Sequence, residues 1–154
     1  MTLAGLRWWI FGVMDEAPAA PPPDRSGYLS RHVPADAMRS KGNGEVKAHP
    51  ALLARLDALG DRLGEPIPII SGYRDPAHNA AIGGAKFSQH VLACAVDLDY
   101  DYGLTIDVAR DLGFSGIGSV EGTDRVVHVD VRAEGPSNGT GAAVGAPTYW
   151  TYPA

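Results

Sequence analysis

Leu52, Leu53, Leu56, Leu59 and Leu63 recur at the spacing that gathers side chains on one face of an α-helix. Pro50 suits the first turn, where its missing N–H costs nothing, and Gly64 suits the stop. A helix over 50–63 is therefore predicted. Ile67 to Ile70 is a short apolar run rich in β-branched residues, which reads as a buried strand. Asp75-Pro76 reads as a helix start, with Asp as the cap and Pro at the first helical position. The short helix over 76–82 then ends at Gly83-Gly84.

Further along, the period changes to two. Over 93–99, Cys94, Val96 and Leu98 share one face, and Ala95, Asp97 and Asp99 share the other. A helix over 105–112 turns Ile106, Ala109 and Leu112 inward, and the glycine-rich stretch 114–119 reads as a strand. The clearest strand is 126–132. Strict alternation there puts Val127, Val129 and Val131 on the core face and Val126, His128 and Asp130 on the opposite one.

The flanks are different. Residues 1–27 read as an apolar arm, Trp8 to Met14, followed by a linker centred on Pro21-Pro22-Pro23. The arm is too short to span a bilayer, and Asp15 and Glu16 follow it at once, so it makes a poor signal peptide. With two adjacent tryptophans it is a candidate docking surface for a protein partner. A domain is expected over 28–154, with its core in 49–132. Residues 28–48 are mixed and polar, with a turn at Gly42-Asn43-Gly44. The aromatic end, Tyr149-Trp150-Thr151-Tyr152, is expected to pack back on the body.

Composition narrows the function classes. A chain of 154 residues with 45% hydrophobic and 20% charged positions suits one soluble globular domain. A net charge of −5 with scattered Lys and Arg argues against a nucleic-acid partner. The single cysteine, Cys94, allows no internal disulfide, and its apolar neighbours suggest a buried side chain rather than a nucleophile.

The candidate chemistry lies in His90, Asp97 and His128. Two imidazoles and one carboxylate suit a catalytic zinc, because the fourth position stays open for water. Spacing alone leaves the ordinary alternative standing, with structural histidines and a surface carboxylate. Asp97 between Val96 and Leu98 favours a partnered carboxylate. His32, His49 and His78 lack such a context; His49 reads as a helix-start residue and His78 as a helix-surface residue.

At these residues the chain resembles the zinc D-alanyl-D-alanine carboxypeptidases and L-alanyl-D-glutamate endopeptidases that cut peptidoglycan peptides. The shared blocks are Ser71-Gly72-Tyr73-Arg74, Asn79, Gly83-Gly84, Ser88-Gln89-His90, Ala95, Asp97 and His128-Val129-Asp130, in the family's order and spacing across about 49–132. The resemblance implies an α+β fold, a small and mostly antiparallel sheet with flanking helices, shared with the hedgehog signalling domain. It implies Zn2+ on His90, Asp97 and His128, with Arg74 steadying the substrate carbonyl or oxyanion and Ser88 hydrogen-bonding the substrate. Read without the family, Arg74 could equally form an ion pair with Asp75 or another carboxylate, and Ser88 could cap a loop.

Two positions depart from the family. Ala93 stands where Gly is usual, and its methyl disfavours a left-handed backbone. Arg125 stands where many relatives carry an acid before the last histidine. Asp124 and Glu121 are the nearest candidates for the proton-carrying base, the alternative being an ordinary acidic loop. Asp130 is expected to orient a ligand or Arg132. The reading is then a zinc peptidase of peptidoglycan stem or cross-link peptides, a phage-type lysin or virion-associated protein acting at the bacterial cell wall. The rival readings are a non-catalytic virion or envelope component that reuses the fold, and a module that binds stem peptides without cutting them.

Overall fold

In the computed structural model, residues 24–136 and 147–154 are described. The arm Trp8–Met14 and most of the proline-rich linker lie outside them. Helix α1 spans Pro50–Leu63 as the leucine pattern predicts. Its start is capped by the His49 side chain, which accepts the Ala51 N–H, and Gly64 ends it. Leu52, Leu56 and Leu59 are wholly buried, while Leu63 is exposed at the helix end. Each buried leucine contributes about 1.5–3 kcal/mol relative to exposure.

The sheet has five strands: β1 (Ile69–Ser71), β2 (Ala95–Leu98), β3 (Gly116–Val120), β4 (Val126–Asp130) and β5 (Thr148–Tyr152). Their lateral order is β1-β2-β4-β3-β5, and every pairing is antiparallel except β3 with β5. The short helices α2 (Pro76–Ala81) and α3 (Ile106–Asp111) complete the α+β architecture. Asp75 caps α2 through His78 N–H, and Thr105 caps α3 through Val108 N–H. Among the described residues, no helix is long and apolar enough to cross a membrane.

One face of the sheet packs on α1 and α3 through Val96, Leu98, Ile117 and Val129. Cys94 joins this core wholly buried, and burial pushes its thiol up to about 11. The core also reaches back beyond residue 49, because Val33 and Met38 are wholly buried within it. Gly72 allows that contact: a Cβ there would stand 2.5 Å from the Ala37 carbonyl oxygen and 2.7 Å from Met38 Sδ.

Strict alternation fails in β4. Gly118 pairs with His128, but Ser119 pairs with Val126, so Val127 is an extra residue in a β-bulge. The bulge reverses the phase of the strand. Val126 is buried in the core, and Val127 is only partly buried and lines a cavity on the opposite face. The expected places of these two valines are therefore exchanged, whereas His128, Val129 and Asp130 keep theirs.

Candidate metal centre

One lateral row of residues crosses all five strands. Ser71 pairs with Asp97, Asp97 with His128, His128 with Gly118, and Gly118 with Trp150. The neighbouring row joins Ala95, Asp130, Gly116 and Thr148. Partners in a row rise from the same face of a sheet. The register thus stacks ligating and aromatic side chains on the face opposite the core, at a cavity of about 730 Å³.

His90 reaches this face from outside the sheet, on the turn that precedes β2. Cys94 N–H to Gln89 O (3.0 Å) and Ala93 N–H to His90 O (3.1 Å) close that turn. Such paired bonds end a helical turn whose last residue is left-handed. That residue is Ala93, with φ of 57°. The alanine adopts the glycine-type conformation that its methyl disfavours, at a cost of about 1–2 kcal/mol.

His90, Asp97 and His128 converge, each offering one ligand atom within 4.8 Å of the others. His90 Nε2 lies 3.2 Å and His128 Nδ1 2.9 Å from the same oxygen, Asp97 Oδ1. The remaining ring nitrogens are occupied. His90 Nδ1 lies 2.7 Å from the Gly72 carbonyl oxygen, and His128 Nε2 lies 3.2 Å from Asp130 Oδ2. Each of those partners accepts a ring N–H, which leaves His90 Nε2 and His128 Nδ1 free to face a metal. Both rings are at least nine-tenths buried, and Asp130 is 0% exposed.

Charge around the cluster is balanced locally. Burial opposes ionisation of Asp97, but hydrogen bonds from His128 and His90 outweigh it and hold the carboxyl well below the usual range. Burial likewise opposes ionisation of Asp130, yet His128 and Arg132 bring it down to about 2. Burial also disfavours charging the His128 ring, and its bonds to Asp130 and Asp97 tip the balance upward. Arg132 grips Asp130 through Nε and Nη2, with Nη2 2.7 Å from Oδ2. Asp130 thus orients both the ligand and Arg132.

Arg74 Nη2 donates to Asp97 Oδ2 at 3.0 Å, and Arg74 lines the cavity. The carboxylate it pairs with is Asp97, a member of the candidate metal cluster. Asp75, the neighbour considered from the sequence, is instead taken up by Ser40, Asn43 and His78. Those bonds tie the 40–43 turn to the start of α2 and fix the backbone beside Arg74. Ser88 also lines the cavity.

Glu121 and Asp124 are placed elsewhere. They sit exposed in the turn between β3 and β4, and neither lines the cavity. Arg125 turns toward Gly103, where an added Cβ would meet its Nη1 at 2.8 Å. Among the described residues lining the cavity, Asp97 is the sole carboxylate.

The three side chains form a set that could hold a metal ion beside the cavity, and a family model described as Peptidase M15 matches residues 31–130. The chain belongs to the peptidase M15 family. No curated protein matches it. M15 peptidases depend on zinc, and the convergence of two imidazoles and a carboxylate fits that ion's ligand preferences. The M15 match ends at Asp130, so β5 lies outside it.

Strand β5 nevertheless furnishes part of the cavity wall. Trp150 lies 5.0 Å from the His128 ring, with the Arg132 guanidinium 4.8 Å from its own ring centre. Tyr152 lines the cavity two residues further on. Neither residue stood out in the sequence as part of a site. The available signal was the alternation of two aromatics, Trp150 and Tyr152, at period two in a short segment.

Proposed function

We propose that this chain is a zinc-dependent peptidase that hydrolyses peptidoglycan stem or cross-link peptides. The observation that carries the reading is the convergence of His90, Asp97 and His128 in a cavity that Arg74 also lines. A zinc ion held there would polarise a substrate carbonyl and lower the pKa of its water to roughly 7. Gly72 and Asp130 hold the two imidazoles in the tautomers that such an ion requires. Arg74 presents a guanidinium beside the ligands, where it stabilises negative charge that develops on the carbonyl oxygen. Ser88 and the aromatic wall line the same cavity and would contact the bound peptide.

Family membership supports a peptidase, and the cavity volume falls in the range of pockets that enclose small ligands, about 300–1,000 Å³. Glu121 and Asp124 have no part in this reading. The test is digestion of purified peptidoglycan with product masses read by spectrometry. New termini within the stem or cross-link peptides, abolished by a chelator, are the expected result, and their position names the bond.

One observation favours a second reading. Among the described residues lining the cavity, the sole carboxylate would be spent on the metal, which leaves no carboxylate base there. A chain that binds stem peptides in a virion or envelope assembly without cutting them fits that feature. It predicts bound zinc and bound peptide with no new termini.

A further inference from the structure

Tyr152 lines the cavity together with His90, Asp97, His128 and Arg74. Several features fix it there. Its backbone is anchored, because its carbonyl accepts the Glu121 N–H at 2.8 Å and it pairs in register with Val120. Its ring meets the Trp150 ring edge-on at 6.3 Å between centres. Gly118 beneath them is bare: a Cβ there would stand 2.7 Å from Tyr152 Cε2 and 2.8 Å from Trp150 Nε1. The phenol belongs to the same cavity lining as Asp97 and Arg74.

The two guanidinium groups facing the cavity are largely committed. Arg74 spends Nη2 on Asp97 and Nε on Ser71, and Arg132 spends Nε and Nη2 on Asp130. A phenol carries its proton at neutral pH and can donate one hydrogen bond. We propose that Tyr152 is a catalytic residue, whose hydroxyl donates a hydrogen bond to the carbonyl oxygen of the scissile peptide as negative charge develops there. This rests on the peptidase reading above. Tyr152 and Arg74 then share that oxygen, and β5 becomes a working part of the site although it lies outside the region the family model matches. No bond to Tyr152 is made or broken, and the proton stays on the phenol. A donor so placed acts on the transition state more than on the bound substrate.

The experiment compares wild type with Tyr152→Phe, which keeps the ring and its packing. The probes are the peptide product and a phosphinate pseudo-peptide built on the bond that the wild type cuts, whose tetrahedral phosphorus carries the negative oxygen. Expected for Tyr152→Phe are a loss of about 100-fold in kcat with KM little changed, and a parallel loss of phosphinate affinity. Product affinity, zinc content and melting temperature stay at wild-type values. Tyr152→His, which returns a donor to the position, recovers part of both losses. Equal phosphinate affinity in wild type and Tyr152→Phe overturns the assignment while leaving the peptidase reading intact. A wild type that cuts no bond overturns both.

Discussion

Gly118 and Trp150 are register partners across the parallel β3–β5 pair, and the indole occupies the space that a side chain at Gly118 would fill. On its other side Gly118 pairs with His128, whose ring the indole reaches at 5.0 Å. The glycine is what allows the Trp150 indole to reach the His128 ring across an intervening strand. Gly118→Val should therefore expel Trp150 and Tyr152 from the cavity wall. A stability loss of about 1–3 kcal/mol is expected from overpacking. Trp150 fluorescence should also lose its sensitivity to zinc. A variant with wild-type fluorescence response and stability would mean that the indole does not rest on Gly118.

The Asp130 carboxylate controls the other side of the His128 ring. With Nε2–H of His128 donated to Oδ2, Nδ1 is left on the side of Asp97, where a metal would be held. Asp130→Asn removes the charge that Arg132 and His128 share, and zinc affinity should fall by about 10–100-fold. Competition against a chromogenic chelator measures this directly. Unchanged affinity would show that the ring holds its tautomer without Asp130.

Ala93 offers a test of backbone strain. Ala93→Gly relieves the left-handed alanine, while the looser unfolded chain takes back part of the gain. The net expected change in the zinc-free protein is a rise of about 0.5–1 kcal/mol in urea denaturation. A fall in stability would indicate that the buried methyl contributes more by packing than the conformation costs.

Acid stability should report Asp75 and Asp130. The Ser40 hydroxyl and the His78 N–H lead in holding the Asp75 carboxyl below its ordinary value of 3.8, and Asp130 lies at about 2. Both groups take up protons more readily unfolded than folded. Their stabilisation is in place above the ordinary value and drains as pH falls through the folded one. His128 has the opposite sign: its raised value favours the metal-free fold at lower pH, an advantage lost as pH rises through that value. Metal-free protein should thus lose urea resistance steeply below about pH 4. Asp75→Asn should show a shallower acid fall, and an equal slope in the variant would remove Asp75 from the account. Zinc binding should strengthen with rising pH, because a coordinating imidazole must be neutral.

Much of this was legible in the sequence for identifiable reasons. Helix α1 was readable because its leucines, its Pro50 start and its Gly64 stop agree with one another. The cluster of His90, Asp97 and His128 was readable as a candidate because these are residue types that metals select, and the alternation in β2 turns Asp97 away from the core. The bulge at Val127 was not readable, since it depends on how β4 pairs with β3, and nothing local distinguishes Val127 from its neighbours. Val33 and Met38 were missed as core because each is an isolated apolar residue in a polar stretch. The aromatic end was expected to pack back on the body and does so, but its strand was missed because its partner is parallel and distant. The base was sought near residue 125 by proximity in sequence, but the β3–β4 turn carries Glu121 and Asp124 outside the cavity.

In the proposed reading, His90, Asp97 and His128 hold one zinc that serves hydrolysis of peptidoglycan peptides. The most direct test titrates metal-free protein with zinc while following hydrolysis of defined muropeptides, with His128→Ala alongside. The account predicts that hydrolysis rises to a plateau at one equivalent of zinc, is lost on chelation, and is absent in His128→Ala. Cleavage that persists without metal or in His128→Ala would contradict it, and so would one tightly bound zinc with no cleavage of any muropeptide.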